Sequence, residues 1–218
     1  MLNTTIITDP YIFILDNVIC EQDCNKIIKK YNNEQRKYTG QVGGGVDLNV
    51  KNSKDMCLHD TELDWSKEDS LFQEIVGEGH NKYYEHLNSG SNFTFFTDPN
   101  LRHLYHPKSG LDFNDSIIDT GYQIQKTEPG KGYCWHDDSA YCKKTGGLRY
   151  LTFILYLNTV DEGWTQFYNG DQVSPVAGRL VFFPATWTYV HQGYPPKQTK
   201  YIMTGWMHNL IEKKNGKN

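Results

Sequence analysis

No apolar run in this 218-residue chain is long enough to cross a bilayer. Residues Met1 to Asp9 lack a basic stretch followed by an apolar one, which argues against a secretory leader. The reading is a soluble, cytoplasmic protein. Basic residues are not in excess: 22 Lys and Arg against 26 Asp and Glu give a formal net charge of −4. That balance gives no general attraction for nucleic acid or anionic membrane, so neither is expected as a partner. Cysteine is scarce and odd in number. Cys20, Cys24, Cys57, Cys134 and Cys142 form no disulfide framework, and Cys20 and Cys24 lack a second pair of zinc ligands. Reduced thiols are expected. Gly43-Gly44-Gly45 has no following Gly-Lys-Ser/Thr, which excludes a phosphate loop and leaves a polar loop. In a cytoplasmic chain the acceptor-like triplets at Asn3, Asn92 and Asn114 carry no meaning.

Aromatics are abundant, at 14% with fifteen Tyr, which favours sheets. Tyr11 to Leu15 reads as a short strand. A helix is predicted from about Glu21 to Asn32, with Ile27 and Ile28 on its apolar face. A second is predicted from Trp65 to Leu87, with Leu71, Ile75, Tyr83 and Leu87 along one side and Gly77 and Gly79 weakening its middle. From Phe93 the texture turns to short β-branched and aromatic runs: Gly121–Thr127, Arg149–Asn158, Thr165–Tyr168, Arg179–Phe183 and Lys200–Met207. Pro-Gly, Asn-Gly and Gly-Gly pairs punctuate them. This spacing suggests a sandwich or barrel. A single domain is expected over 1–218: helical N-terminal support at 1–92, a β core at 93–211 and a frayed tail at 212–218. Oligomeric state leaves no mark in the sequence.

The chemistry-bearing segment is Tyr133-x-x-His136-x-Asp138. On an extended backbone His136 and Asp138 point to one face and Asp137 to the other. A histidine and a carboxylate on one face fill two sites of a metal. Two histidines and one carboxylate hold ferrous iron with three positions open. His191, on a later strand, is the candidate third ligand. Nine residues on, Lys200 begins a segment whose alternation puts Lys200, Ile202, Thr204 and Trp206 on one face. An inward lysine needs an anionic partner. The distal carboxylate of 2-oxoglutarate would supply one, with Tyr156 able to donate to the same group. The remaining histidines, His59, His80, His86, His103, His106 and His208, read as ordinary surface or core. Trp135 and Trp187 read as packing groups.

In order, the chain carries Tyr133…His136-x-Asp138, Arg149-x-x-Thr152, Tyr156-Leu-Asn158, Gly163-x-Thr165-x-Phe167, Gly178…Phe183-Pro184, His191, Lys200 and Trp206. This order resembles the prolyl 4-hydroxylase branch of the iron(II)- and 2-oxoglutarate-dependent oxygenases, over roughly Gly121 to Met207. The resemblance implies a mainly β protein with flanking helices (α+β). Its core would be a double-stranded β-helix, jelly-roll and cupin-like, packed by N-terminal helices. It implies Fe(II), 2-oxoglutarate and O2 as cofactor and co-substrates, with ascorbate as a reductant. His136, Asp138 and His191 would hold iron. Lys200 and Tyr156, with Thr204 nearby, would bind the co-substrate. Tyr133, Arg149 and Trp206 would receive a proline of a peptide or protein substrate; an aromatic pair packs a flat ring and Arg holds a carbonyl.

The chain departs from that family in three places. Thr127 stands where many relatives have a Tyr that touches the co-substrate, and Gln123 or Gln125 on the same strand face is the candidate substitute. Glu162-Gly163-Trp164-Thr165 replaces the usual Gly-Gly-Glu-Thr turn. Arg149 and Tyr156 differ in parity, so a bulge must lie between them or Arg149 must sit at the strand's mouth. The alternatives are a hydroxylase of another residue or of a small molecule, and a 2-oxoglutarate-binding sensor without turnover. Residues Gly43 to Asp55 are expected as a loop that closes over substrate.

Overall fold

The computed structural model describes residues 5–89, 117–119, 121–142 and 147–209. The triplets at Asn3, Asn92 and Asn114, His103, His106, the switch in texture at Phe93 and the tail at 212–218 lie outside them.

Among the described residues, two α-helices and two antiparallel sheets make the fold. Helix α1 (Glu21–Asn33) buries Cys24, Ile27 and Tyr31, which recur at helical spacing on one face. A 3-10 segment (Leu58–Trp65) leads into helix α2 (Ser66–Ser89). There Phe72, Ile75, Val76, Tyr83 and Leu87 form the buried stripe. Gly79 does not weaken this helix without return. A Cβ at that position would lie 2.8 Å from both Leu180 Cδ2 and Phe182 Cε2, so glycine lets the helix lie close on the sheet.

The larger sheet contains β1 (Phe13–Leu15), β2 (Tyr38–Thr39), β3 (Lys54–Cys57), β4 (Ile117–Asp119), β5 (Gln123–Thr127), β7 (Tyr141–Cys142), β8 (Gly147–Tyr156), β11 (Arg179–Pro184) and β13 (Lys200–Asn209). Its main path is β1-β11-β8-β13-β5-β3-β2. The smaller sheet contains β6 (Tyr133–His136), β9 (Thr165–Phe167), β10 (Gln172–Val173) and β12 (His191–Gly193), in the order β10-β9-β12-β6. This is the double-stranded β-helix with flanking helices that the sequence led us to expect. Strands β2 and β3 are an addition. Lys54 and Asp55, read as loop, are paired with β5, Asp55 opposite Gln125.

Alternation on the central strands creates two cores. Phe153 and Leu155 of β8, Leu180 and Phe182 of β11, and Met203 of β13 face the helices. Ile154, Tyr156, Val181 and Phe183 face the smaller sheet and meet Phe167 and Val173. The inner core fills one end of the space between the sheets and leaves the other end open as a cavity.

Candidate active site

Pairing between β6 and β12 places His191 opposite His136. Asp138 lies just past the end of β6. The three residues offer ligand atoms that all lie within 4.8 Å of one another. Nε2 of His136 is 3.9 Å from Asp138 Oδ1, and Nε2 of His191 is 3.7 Å from Oδ2. Both rings are oriented from behind. Nδ1 of His136 faces Cys134 O at 2.8 Å, and Nδ1 of His191 faces Tyr189 O at 3.0 Å. A carbonyl only accepts, so each Nδ1 carries the proton and each Nε2 presents its lone pair to the centre. Thr152 donates to Asp138 Oδ2 at 2.6 Å. Burial would raise the Asp138 pKa, but the two imidazoles and the Thr152 hydroxyl outweigh it and hold the carboxyl below its usual range. Burial, then the neighbouring His191, lowers His136 to about 4. Two imidazoles and an ionised carboxylate on one spot are the donor set of a ferrous site, and the residues fit that metal.

A cavity of about 510 Å³ opens from this triad. Lys200, Ile202, Thr204 and Trp206 all line it, as their alternation predicts. Lys200 lies at the far end from Trp206 and is 5% exposed. Among the described residues its ammonium makes one hydrogen bond, to Gly163 O at 2.6 Å. Burial pushes its pKa down to about 8. A buried ammonium with only a carbonyl to meet fits the far carboxylate of 2-oxoglutarate. Tyr156 also lines the cavity, but its hydroxyl is already engaged, 2.6 Å from Thr165 Oγ1. Thr204 donates to Phe153 O at 2.8 Å.

Thr127 pairs with Lys200 across β5 and β13, and Gln125 and Gln123 pair with Ile202 and Thr204. Gln125 donates to Gln123 (2.6 Å), which donates to the Tyr38 hydroxyl (2.8 Å). These side chains line one wall of the cavity. At the turn, Glu162 adopts φ 60°, a left-handed position that glycine occupies without strain. The ring of Trp164 stacks on Tyr194 with centroids 4.4 Å apart.

Tyr133 stacks on the His136 ring with centroids 3.5 Å apart. The Arg149 guanidinium lies 3.5 Å from the centroid of Trp206. The parity conflict is solved by a bulge: β13 pairs Met207 with Leu151 but His208 with Arg149, leaving Tyr150 as the extra residue. Tyr150 reaches His80, with Oη 2.7 Å from Nε2. Two expectations fail. Trp135, on β6, and Trp187, in the turn after β11, are not packing groups but 43% and 74% exposed. Cys20, Cys24, Cys57 and Cys134 are free thiols, as expected.

Residues 122–208 match the model of the 2OG-Fe(II) oxygenase superfamily. The match spans the triad and Lys200, and over that stretch the chain is similar to a superfamily whose members use Fe(II) and 2-oxoglutarate. In fold the chain resembles prolyl hydroxylases of known structure. It is similar to a viral collagen prolyl hydroxylase from Paramecium Bursaria Chlorella virus-1, at 19% identity and TM-score 0.57 over 91% of this chain and 96% of that one. It is similar to a prolyl hydroxylase from Trichoplax adhaerens, solved with a hypoxia inducible factor oxygen degradation domain peptide fragment. There identity is 16% and TM-score 0.62 over 92% and 84% of the two chains. A Pseudomonas putida prolyl-4-hydroxylase matches at 15% identity and TM-score 0.60 over 91% and 93%. No curated protein sequence matches the chain. Among the described residues, no helix is long and apolar enough to cross a membrane.

Proposed function

We propose that this protein hydroxylates a proline residue in a peptide or protein. The observation that carries the reading is the pair of rings beside the triad. Tyr133 lies on His136, Trp206 lies under Arg149, and both rings line the same cavity as the triad. Two aromatic faces suit a pyrrolidine ring, and a guanidinium suits the carbonyl beside it.

His136, Asp138 and His191 would hold the iron, and Lys200 would pair with the distal carboxylate of 2-oxoglutarate. Iron with 2-oxoglutarate and dioxygen supplies the oxidation that yields succinate and carbon dioxide and puts one oxygen atom on the substrate carbon. The chain's own work is to orient and to exclude water. Thr152 and the Cys134 and Tyr189 carbonyls fix the three ligating side chains. Gln125, through Gln123, keeps the co-substrate wall polar where Thr127 is too short to reach.

The test is incubation of purified protein with Fe(II), 2-oxoglutarate, ascorbate and proline-containing peptides, read by mass spectrometry for one added oxygen atom. Hydroxyproline should form in wild type and be lost in Tyr133→Ala and Trp206→Ala, while the visible band of the anaerobic Fe(II)–2-oxoglutarate complex persists. Hydroxylation that survives both substitutions would remove the proline pocket from the reading.

A further inference from the structure

The cavity holds a second cation on an aromatic ring, and neither the metal site nor the co-substrate site uses it. Lys51 is 5% exposed, lines the cavity, and carries its Nζ 5.4 Å from the centroid of the Tyr133 ring. Behind it, Asp55 is fully buried and accepts from Lys51 Nζ at 2.7 Å and from Ser53 Oγ at 2.7 Å. Such a pair is costly to bury, and each partner alone would be costlier. The surroundings are built around it. A Cβ on Gly40 would collide with Ser53 Oγ and lie 3.1 Å from both Asp55 Oδ2 and Lys51 Cε, so glycine leaves room for the pair. Residues 50–52 are clamped along β6: Cys134 N donates to Val50 O, Asn52 N donates to Gly132 O, and Lys51 bridges Tyr133.

The two walls of the site therefore match. Arg149 of β8 lies on Trp206 of β13, and Lys51 lies on Tyr133 with its partner Asp55 on β3, which β13 and β5 separate from β8 in the sheet. An ammonium carries three N–H donors. Among the described residues the only hydrogen bond this one makes is to Asp55, which leaves further donors on a side chain that lines the cavity. Asp55 already balances the charge. A second carboxylate on the same ammonium would sit within a few ångströms of the buried Asp55 and be repelled. A neutral carbonyl would not.

We propose that Lys51 is a substrate-positioning residue that donates to a backbone carbonyl on the far side of the target residue from Arg149. The substrate is then an extended peptide held at two points, not a free amino acid or a chain end. This rests on the peptide-hydroxylase reading above.

The experiment shortens a hydroxylated peptide by one residue at a time from each end and measures KM and kcat. It compares wild type with Lys51→Met/Asp55→Asn, in which both charges leave together and neither is stranded, and with Lys51→Arg, which keeps the donors. A hydrogen bond to a charged group corresponds to roughly tenfold to a hundredfold in affinity. Removal of one particular residue should therefore raise the wild-type KM at least about tenfold with kcat little changed. The double variant should show a high KM for the full peptide and no further rise on truncation; Lys51→Arg should recover the truncation penalty. Equal truncation penalties in wild type and double variant, or none in wild type, overturn the proposal and leave peptide hydroxylation standing. If free proline is hydroxylated as well as any peptide, both fall.

Discussion

Replacing Lys200 by methionine tests the far end of the cavity. The side chain is buried beside Gly163 O with no other hydrogen bond among the described residues, and burial lowers its pKa from 10.5 to about 8. At ~1.4 kcal/mol per unit, keeping the ammonium charged without an anion costs on the order of 3 kcal/mol. The sign follows from proton counts. Between about pH 8 and the unfolded value the unfolded chain binds more protons, so stability of the free protein rises with pH through that window. Below it the penalty is constant. Lys200→Met removes the charge and keeps the volume, so the free variant should be more stable near neutral pH, by up to about 3 kcal/mol in urea denaturation. Its 2-oxoglutarate affinity should fall by roughly tenfold to a hundredfold. Calorimetric titration of the anaerobic Mn(II) protein supplies the second reading. Wild-type affinity should be level up to about pH 8 and then fall about tenfold per pH unit, as the ammonium that meets the dianion is lost. The variant should show no such fall. Wild-type affinity that stays level well above pH 8, or a variant that falls in parallel, would show that this ammonium does not meet the anion.

Three further substitutions probe the supports of the site. Thr152→Val removes the donor to Asp138 Oδ2, and Fe(II) affinity measured by chelator competition should drop by roughly tenfold to a hundredfold with the fold intact; an unchanged affinity would mean the hydroxyl orients nothing. Gly79→Val drives a side chain into Leu180 and Phe182 and should cost about 1–3 kcal/mol in urea denaturation, whereas no loss would mean that α2 can lift from the sheet freely. Asp171 is 1% exposed; burial raises its pKa, but donation from Asp9 N, Thr8 Oγ1, Thr8 N and Asn169 Nδ2 outweighs this and lowers it. Its stabilisation is present above the unfolded carboxyl value and is lost as pH falls through the lowered one. Asp171→Asn should therefore cost about 1–3 kcal/mol at pH 7 and flatten the acid limb of the stability curve, and an unaltered acid limb would refute the assignment.

The face of β13 was legible because alternation is a local property: Lys200, Ile202, Thr204 and Trp206 line one cavity as their spacing requires. The approach of His191 to His136 was not local, and only the ordered motifs suggested it. Strand pairing supplies it directly, by setting the two residues opposite each other. The wall formed by Tyr38, Gln123 and Gln125 was half legible, since the glutamines share parity with Thr127 but Tyr38 lies far off in sequence. The Lys51–Asp55 pair was missed. Its signal was present in Lys51-x-Ser53-x-Asp55, an alternation that puts three polar groups on one strand face. A glycine-rich neighbourhood made the stretch read as loop, and burial of an ion pair cannot be seen without the sheet that covers it.

The conflict of parity on β8 is the more instructive case. Arg149 and Tyr156 are seven residues apart, so a regular strand would turn one of them away from the cavity. Every other side chain of that strand argues for regularity: Phe153 and Leu155 pack under the helices, and Ile154 and Tyr156 pack between the sheets. A bulge breaks the hydrogen-bond ladder and gains no packing of its own. It is placed at Tyr150, between Arg149 and the first core residue Leu151, so that Arg149 and the strand end before it are redirected while the core side chains keep their faces. The hydroxyl of Tyr150 is then taken up by His80 of α2, which anchors the irregular residue from the helix side. A break in local consistency, bounded so that it redirects a functional side chain and leaves the core in place, marks a site under a constraint other than stability. Here that constraint is to bring Arg149 onto Trp206 beside the triad, and the conflict in the sequence was itself the sign of it.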